Sequence, residues 1–301
     1  MSEIHKRSSS FKIQIEPQLM KQLIQKSDWL GLFHFCFYFT ILISLGFIAN
    51  YLLESIWFFS IYLLYAIVFA FAEAAAHELN HESVFRSKRL NTSAHWLVCF
   101  MSWREPAYSK YRHLKHHSHT SVIGQDPEGE AVRPKSMGLM GLEMLTRFFH
   151  AKTHFGAMAR HAFGRVLEED QKIVPKGLHQ KMIIQSRILL AGYFTLIVVS
   201  LMLQTWMIVL YLFLPRSLGT FLHDLCSRTQ HTALAVNDPD YRMTTRTILL
   251  GPLLRFFYWN MNFHIEHHMY QNVPFHALPR LHEAMKDQLP ESPWLCYSKM
   301  L

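Results

Sequence analysis

Apolar residues in this chain fall into long unbroken runs rather than short alternating ones. Leu30 to Ala49 is almost wholly apolar, and its twenty residues are enough to cross a bilayer core of ~30 Å. Trp57 to Ala76 is a second such run, marred only by Glu73 near its end. The seven residues between them, Asn50 to Ile56, predict a helical hairpin. Ile188 to Leu214 is a third apolar run, 27 residues long. It reads as one tilted helix or as two helices turning at Gln204-Thr205.

Histidine spacing helps to decide between these. "HELNH" puts His77 and His81 at i and i+4, on one face of a helix. "HLKHH" sets His113, His116 and His117 at i, i+3 and i+4, and "HIEHH" repeats that pattern at His264, His267 and His268. A single crossing after Arg187 would leave the last cluster on the opposite side of the membrane from the other two. Two crossings reunite them. The expectation is therefore an all-α integral membrane protein of two transmembrane hairpins. Its four spans lie at about 30–49, 57–76, 187–203 and 206–225, with a cytoplasmic helical cap that holds the histidines. Residues 1–29 form a cytoplasmic N-terminal segment, 30–286 the membrane domain and 287–301 a tail.

Charge supports this topology. Of the thirty Lys and Arg, five precede the first span, seventeen lie from Arg86 to Arg187, and eight run from Arg216 onward. The turns Asn50–Ile56 and Leu203–Thr205 contain none, and positive residues collect on the cytoplasmic side. Arg216 is awkwardly placed within the fourth span, where it is expected to snorkel or to sit above the apolar layer. The segment Glu82–Ser186 is too polar to span, and Ser136–Gly164, rich in Met and Phe, suits an amphipathic helix along the interface.

Half of the residues are hydrophobic and the net charge is +8, a balance that fits membrane spans joined to a polar portion. The distribution of the charge points to a membrane surface rather than nucleic acid. The cysteines Cys36, Cys99, Cys226 and Cys296 form no CxxC, which argues against a disulfide framework, a zinc ribbon or a fused iron–sulfur domain. No cleavable signal is evident in the polar first 29 residues.

"HELNH" also satisfies HExxH, in which two histidines hold zinc and a glutamate acts as base. A zinc protease built on His77, Glu78 and His81 leaves the other two clusters unexplained. Eight clustered histidines exceed the needs of one metal, so two metals are the economical reading. Imidazole suits zinc, copper, nickel and iron alike. Oxidation of an unactivated C–H bond beside apolar helices favours iron.

In these three boxes, and in "HESVFRSKRLN", "HHSHTSVIGQDPE" and "FFYWNMNFHIEHHMYQNVPFHALPRLHE", the chain resembles the membrane-bound fatty-acyl desaturases and their hydroxylase relatives. Among these it is most similar to the bacterial acyl-lipid type. The resemblance runs from about Leu30 to Lys286. It implies two iron ions, dioxygen as co-substrate and electrons from a separate donor of ferredoxin or cytochrome type. It further implies an acyl or acyl-like substrate and a multi-pass location, here the bacterial inner membrane with both termini cytoplasmic. The family's ninth histidine corresponds to His231 in "TQHTALAVNDPDYR", rather than to His223 in "FLHDL". Where some members place an asparagine one turn earlier, Ser227 stands here.

Glu78, Glu82, Asp126 and Glu266 are candidates to orient the imidazoles through the second ring nitrogen, with Glu128 a further one. His119, His276 and His282 are read as structural. A hydroxylase of the same superfamily, the HExxH protease and a non-catalytic metal-binding membrane protein are the rival functions.

Overall fold

The computed structural model describes residues 11–129, 136, 138 and 147–295, with the backbone alone at 147–150. The described chain is helical, and one isolated bridge between Leu249 and Trp294 is its only β pairing. In chain order the principal helices are α1 (Pro17–Leu23), α2 (Asp28–Tyr51), α3 (Trp57–Ala70), α4 (Ala72–Asn80), α5 (Lys88–Met101) and α6 (Pro106–Ser118). They continue with α7 (Arg147–Ala162), α8 (Glu168–Ile173), α9 (His179–Met202), α10 (Leu214–Leu218) and α11 (Thr220–Thr229). The last are α12 (Tyr241–Thr244), α13 (Pro252–Phe257), α14 (His264–Met269) and α15 (Leu278–Met285).

Among the described residues, three stretches are long and apolar enough to cross a membrane: Asp28–Tyr51, Trp57–Asn80 and Lys176–Met202. The first and third present Trp29, Phe33, Phe47, Phe194 and Leu201 outward, whereas Tyr65, Ala66, Phe69 and Ala70 of the second are buried. Tyr51, Trp57 and Trp206 are exposed near the ends of these long helices, where amphipathic rings suit a membrane–water boundary.

The expected fourth span, 206–225, is not one regular helix. A π-helical stretch at Val209–Phe213 leads into α10, and Gly219 separates α10 from α11. Such a stretch disturbs the regular pairing of backbone carbonyls. The hydroxyls of Tyr62 and Tyr65 on α3 donate to the carbonyls of Leu210 and Tyr211 there. Gly219 lies so close to α3 that a Cβ would fall 1.8 Å from the Ala66 carbonyl oxygen, which only glycine permits. Helix and broken segment are thus locked together.

Arg216 does not snorkel. It is 4% exposed, pairs with Glu73 at the end of the second apolar run and lies over the Trp103 ring. Burying one charge near a membrane is costly, and the two sequence anomalies, Glu73 and Arg216, neutralise each other.

The N-terminal segment belongs to the fold. Ile13 and Leu23 are buried with Ile265, Met269, Leu278 and Leu281, and the Tyr270 hydroxyl donates to the Ile13 carbonyl. Of the interfacial stretch expected at Ser136–Gly164, the part in α7 is helical; most of 137–146 lies outside the described residues.

A buried histidine joins this layer to the second box. The His161 ring is fully buried, with Nδ1 2.8 Å from a Glu105 carboxylate oxygen and Nε2 3.1 Å from Asp170. Glu105 immediately precedes α6 and also accepts from the Ser186 hydroxyl on α9. The first turn of α6 is further held by Gln185, whose Oε1 accepts from the Ala107 amide at 2.8 Å. Burial opposes charge on His161, but the hydrogen bonds and charges of Glu105 and Asp170 outweigh it and raise its pKa. The stability this provides is full below the ordinary pKa of 6.5 and is lost as pH rises through the raised folded value. His161→Gln should therefore lower stability by ~3–5 kcal/mol when the imidazolium is present. The gap in thermal midpoint between wild type and variant should be widest below pH 6.5 and narrow in alkali. A gap independent of pH would show that the ring is neutral.

Candidate metal centre

The three boxes reach the site from separate elements, and each is turned into place by a left-handed residue. Glu82 (φ 53°) ends the first box, Trp103 (φ 57°) precedes α6, and Trp259 and Asn260 (φ 54° and 56°) precede α14. Left-handed backbone is uncommon for a tryptophan, so packing must hold it. Trp259 is fully buried and meets the Phe275 ring edge-on, with centroids 4.8 Å apart.

His77 projects from α4 and His81 caps its end. His113, His116 and His117 lie along α6, and His264, His267 and His268 along α14. His231 follows α11 by two residues. These nine imidazoles, and no other histidine among the described residues, form two groups. His77, His81, His113, His117 and His267 make one; His116, His231, His264 and His268 make the other. Within each, one donor atom per residue lies within 4.8 Å of the rest.

The contacts inside the groups run Nε2 to Nε2. In the first group, His81 meets His113 at 2.8 Å, His113 meets His117 at 3.0 Å and His117 meets His267 at 3.1 Å. In the second, His264 lies 2.9 Å from His231 and 3.1 Å from His268. The groups adjoin, with the His117 and His268 rings stacked at 4.2 Å.

The outward-facing Nδ1 atoms explain this polarity. His116 Nδ1 is 2.9 Å from Asp126, and His113 Nδ1 is 3.6 Å from Glu128. Thr120 Oγ1 lies 3.2 Å from His268 Nδ1, and the Thr244 carbonyl 3.4 Å from His231 Nδ1. Glu78 sits between His77 Nδ1 at 3.6 Å and His267 Nδ1 at 3.7 Å. A proton held on Nδ1 by an oxygen leaves a lone pair on Nε2. Lone pairs about 3 Å apart cannot hydrogen-bond to one another, whereas a cation among them satisfies both. The donor set therefore fits metal.

Protonation follows the same direction. Burial, then the neighbouring imidazoles, lowers His117, His264 and His268 well below the usual histidine range, and His231 is pushed down to about 3. Burial lowers His116 as well, but Asp126 outweighs it and the pKa of this ring is raised. All but His116 are thus neutral, the form that ligates.

Not every expected neighbour joins the site. Glu82 turns outward to Lys110, and Glu266 accepts from Thr247 and His282. Glu82 is half-exposed beyond the left-handed turn, and Glu266 lies on the face of α14 directed at α15. His119 bonds to Ser118, 2.8 Å away. His223 stands 3.5 Å from Glu73, outside both groups.

A cavity of about 430 Å³ opens beside the centre. His77, His113, His116, His231 and His264 border it on one side; Glu73, Arg104, Arg216 and His223 border it on another. Glu73, His223 and Asp224 could form a third cation site by proximity. Glu73 is already matched by Arg216 and, at 3.4 Å, by Arg104, which places positive charge where a cation would need negative. The sequence signalled this wall only through Glu73 and Arg216, each out of place in an apolar run.

A helical protein with membrane-length helices and two adjoining all-imidazole groups is a membrane metalloprotein of histidine-box type. The family model described as fatty acid desaturase matches residues 54–299, and the chain belongs to that family. Compared with curated proteins, it matches none.

The division between His231 and His223 is directly testable. His231→Ala should lower bound metal and abolish turnover, a loss greater than the ~10–100-fold typical of residues that only support a ligand. His223→Ala should retain its metal. Metal analysis of both variants at equal membrane abundance checks this, and the reverse outcome would exchange their roles.

Proposed function

We propose that this protein is an oxygen-dependent desaturase that introduces a C=C bond into an acyl chain or acyl-like metabolite. The observation that carries this reading is the division of nine histidines into groups of five and four, which suits two irons. His77, His81, His113, His117 and His267 hold one; His116, His231, His264 and His268 hold the other. The bound irons supply dioxygen activation and removal of hydrogen from an unactivated C–H bond. In balance, R–CH2–CH2–R′, O2, two electrons and two protons give R–CH=CH–R′ and two waters. A separate ferredoxin- or cytochrome-type protein supplies the electrons.

The chain's own residues aim the imidazoles and, His116 apart, hold them neutral. Asp126 fixes the His116 tautomer; Glu78, between two Nδ1 atoms, and Glu128, beside His113, support three more rings. Burial of most of these rings, with His77 and His81 only partly covered, limits the access of bulk water to the centre. Glu78 lies on the Nδ1 side of His77, away from the converging nitrogens, so it is badly placed to serve an HExxH protease as base. The membrane domain is taken as 30–286, with the broken 206–225 segment as a fourth crossing. Both termini and the centre then face the cytoplasm, with the bacterial inner membrane as the location.

Purified iron-loaded protein with a reductant and substrate should consume one O2 for each product two hydrogens lighter than its substrate. A product one oxygen heavier would instead make the enzyme a hydroxylase. Peptide cleavage without oxygen uptake would sink both.

A further inference from the structure

His231 alone among the nine histidines stands outside the three boxes. It follows the last turn of α11, where a helix leaves carbonyl oxygens without intrahelical partners. Each box fixes its histidines by helical period, so His231 has to be aimed by something else.

Arg246 meets that need. Its Nη1 donates to the Thr229 carbonyl at 2.6 Å and to the Thr232 carbonyl at 3.3 Å. Its own amide donates to the Gln230 carbonyl at 2.8 Å. One residue thus engages three carbonyls that bracket His231 on both sides. The partial negative charge at a helix C-terminus favours a cation there.

The strap that carries Arg246 is tied to the third box. Thr244, two residues earlier, sets its carbonyl 3.4 Å from His231 Nδ1. Thr247, one residue later, donates to Glu266 and accepts from the Ile265 amide at 3.3 Å. The Ile248 amide donates to the Asn262 carbonyl at 3.0 Å, and Asn262 Nδ2 donates back to the Ile248 carbonyl at 3.0 Å.

A second tie runs through the buried side chain of Gln230. Its Nε2 donates to the Met261 carbonyl, and its Oε1 accepts from the Tyr258 hydroxyl at 2.8 Å. Only an N–H can face a carbonyl, which fixes the orientation of this amide. The turn that holds His231 is therefore set in register with α14, whose His264 Nε2 lies 2.9 Å from His231 Nε2.

We propose that Arg246 is a positioning residue for the four-histidine group, setting His231 against His264 without itself touching a metal. His77, His81, His113 and His117 of the other group belong to α4, its cap and α6. The bonds of Arg246 and Gln230 run instead to the end of α11 and the approach to α14. Loss of Arg246 should therefore weaken one site and spare the other. This inference rests on the two-metal reading above.

The test titrates ferrous iron into purified, full-length, metal-free protein without oxygen, against a competing chelator. Wild type should bind two ions. Arg246→Ala should bind one as wild type does and the other ~10–100-fold more weakly, as is typical for residues that support a ligand. Arg246→Lys keeps the charge but loses the fork of donors, so its loss should be smaller and confined to the same ion. If Arg246→Ala does not accumulate, the lysine variant carries the comparison. A merely structural role would weaken both ions alike and would persist when His231 is absent. In a His231→Ala background, the Arg246 substitution should therefore weaken neither ion further. Equal weakening of both ions, a full additional loss in the double variant, or wild-type binding of both ions would overturn the proposal and leave the two-metal reading standing. A wild-type chain that binds only one ion would overturn both.

Discussion

Nine imidazoles turned inward on their Nε2 atoms, all but His116 held neutral, are the constraint on which the rest of the structure depends. Imidazole burial is costly without partners, and mutual contact gives these rings none. Rings so placed are oriented from outside where an oxygen reaches Nδ1, as Asp126, Glu128, Thr120 and the Thr244 carbonyl do, with Glu78 near two more; the buried Nδ1 atoms of His117 and His264 have no hydrogen-bond partner. Support from outside also explains why short helices suffice. α14 has six residues, too few to be stable alone, and its core face, Ile265 and Met269, is held by residues of the N-terminal segment and α15.

A second constraint is the charge inside the apolar helices. Glu73 and Arg216 come from distant parts of the sequence and meet in the cavity wall. The pair lies beside the close approach of Gly219 to Ala66 and follows the irregular backbone at Val209–Phe213. The broken fourth segment leads into the part of the chain from which both Arg216 and His231 border the cavity. Function and irregularity occur together here, as they often do where backbone is non-standard.

Much of this was legible in the residues. Apolar run length gave the first two long helices to within a few residues, because twenty apolar residues in sequence have few alternatives, but the third begins at His179, ahead of the expected 187, because its first turns are polar. Histidine spacing identified the residues that converge, since i, i+3 and i+4 share a face whatever the fold around them. His231 needed the family resemblance, as a lone histidine has no period. Other features were not legible. Which side of a helix a glutamate takes depends on tertiary packing, so Glu82 and Glu266 looked equal to Glu78 and Asp126. Arg216 and Glu73 looked like separate blemishes because pairing over more than a hundred residues leaves no local signal.

The account's central claim is that two metal ions per chain are held by imidazole alone. Metal K-edge absorption spectroscopy on the iron-loaded, full-length protein, with iron counted per chain, tests it most directly. The account predicts two irons, a ligand shell of light donors only, and the outer-shell scattering pattern of imidazole rings. One metal per chain, or a shell containing sulfur, would contradict it.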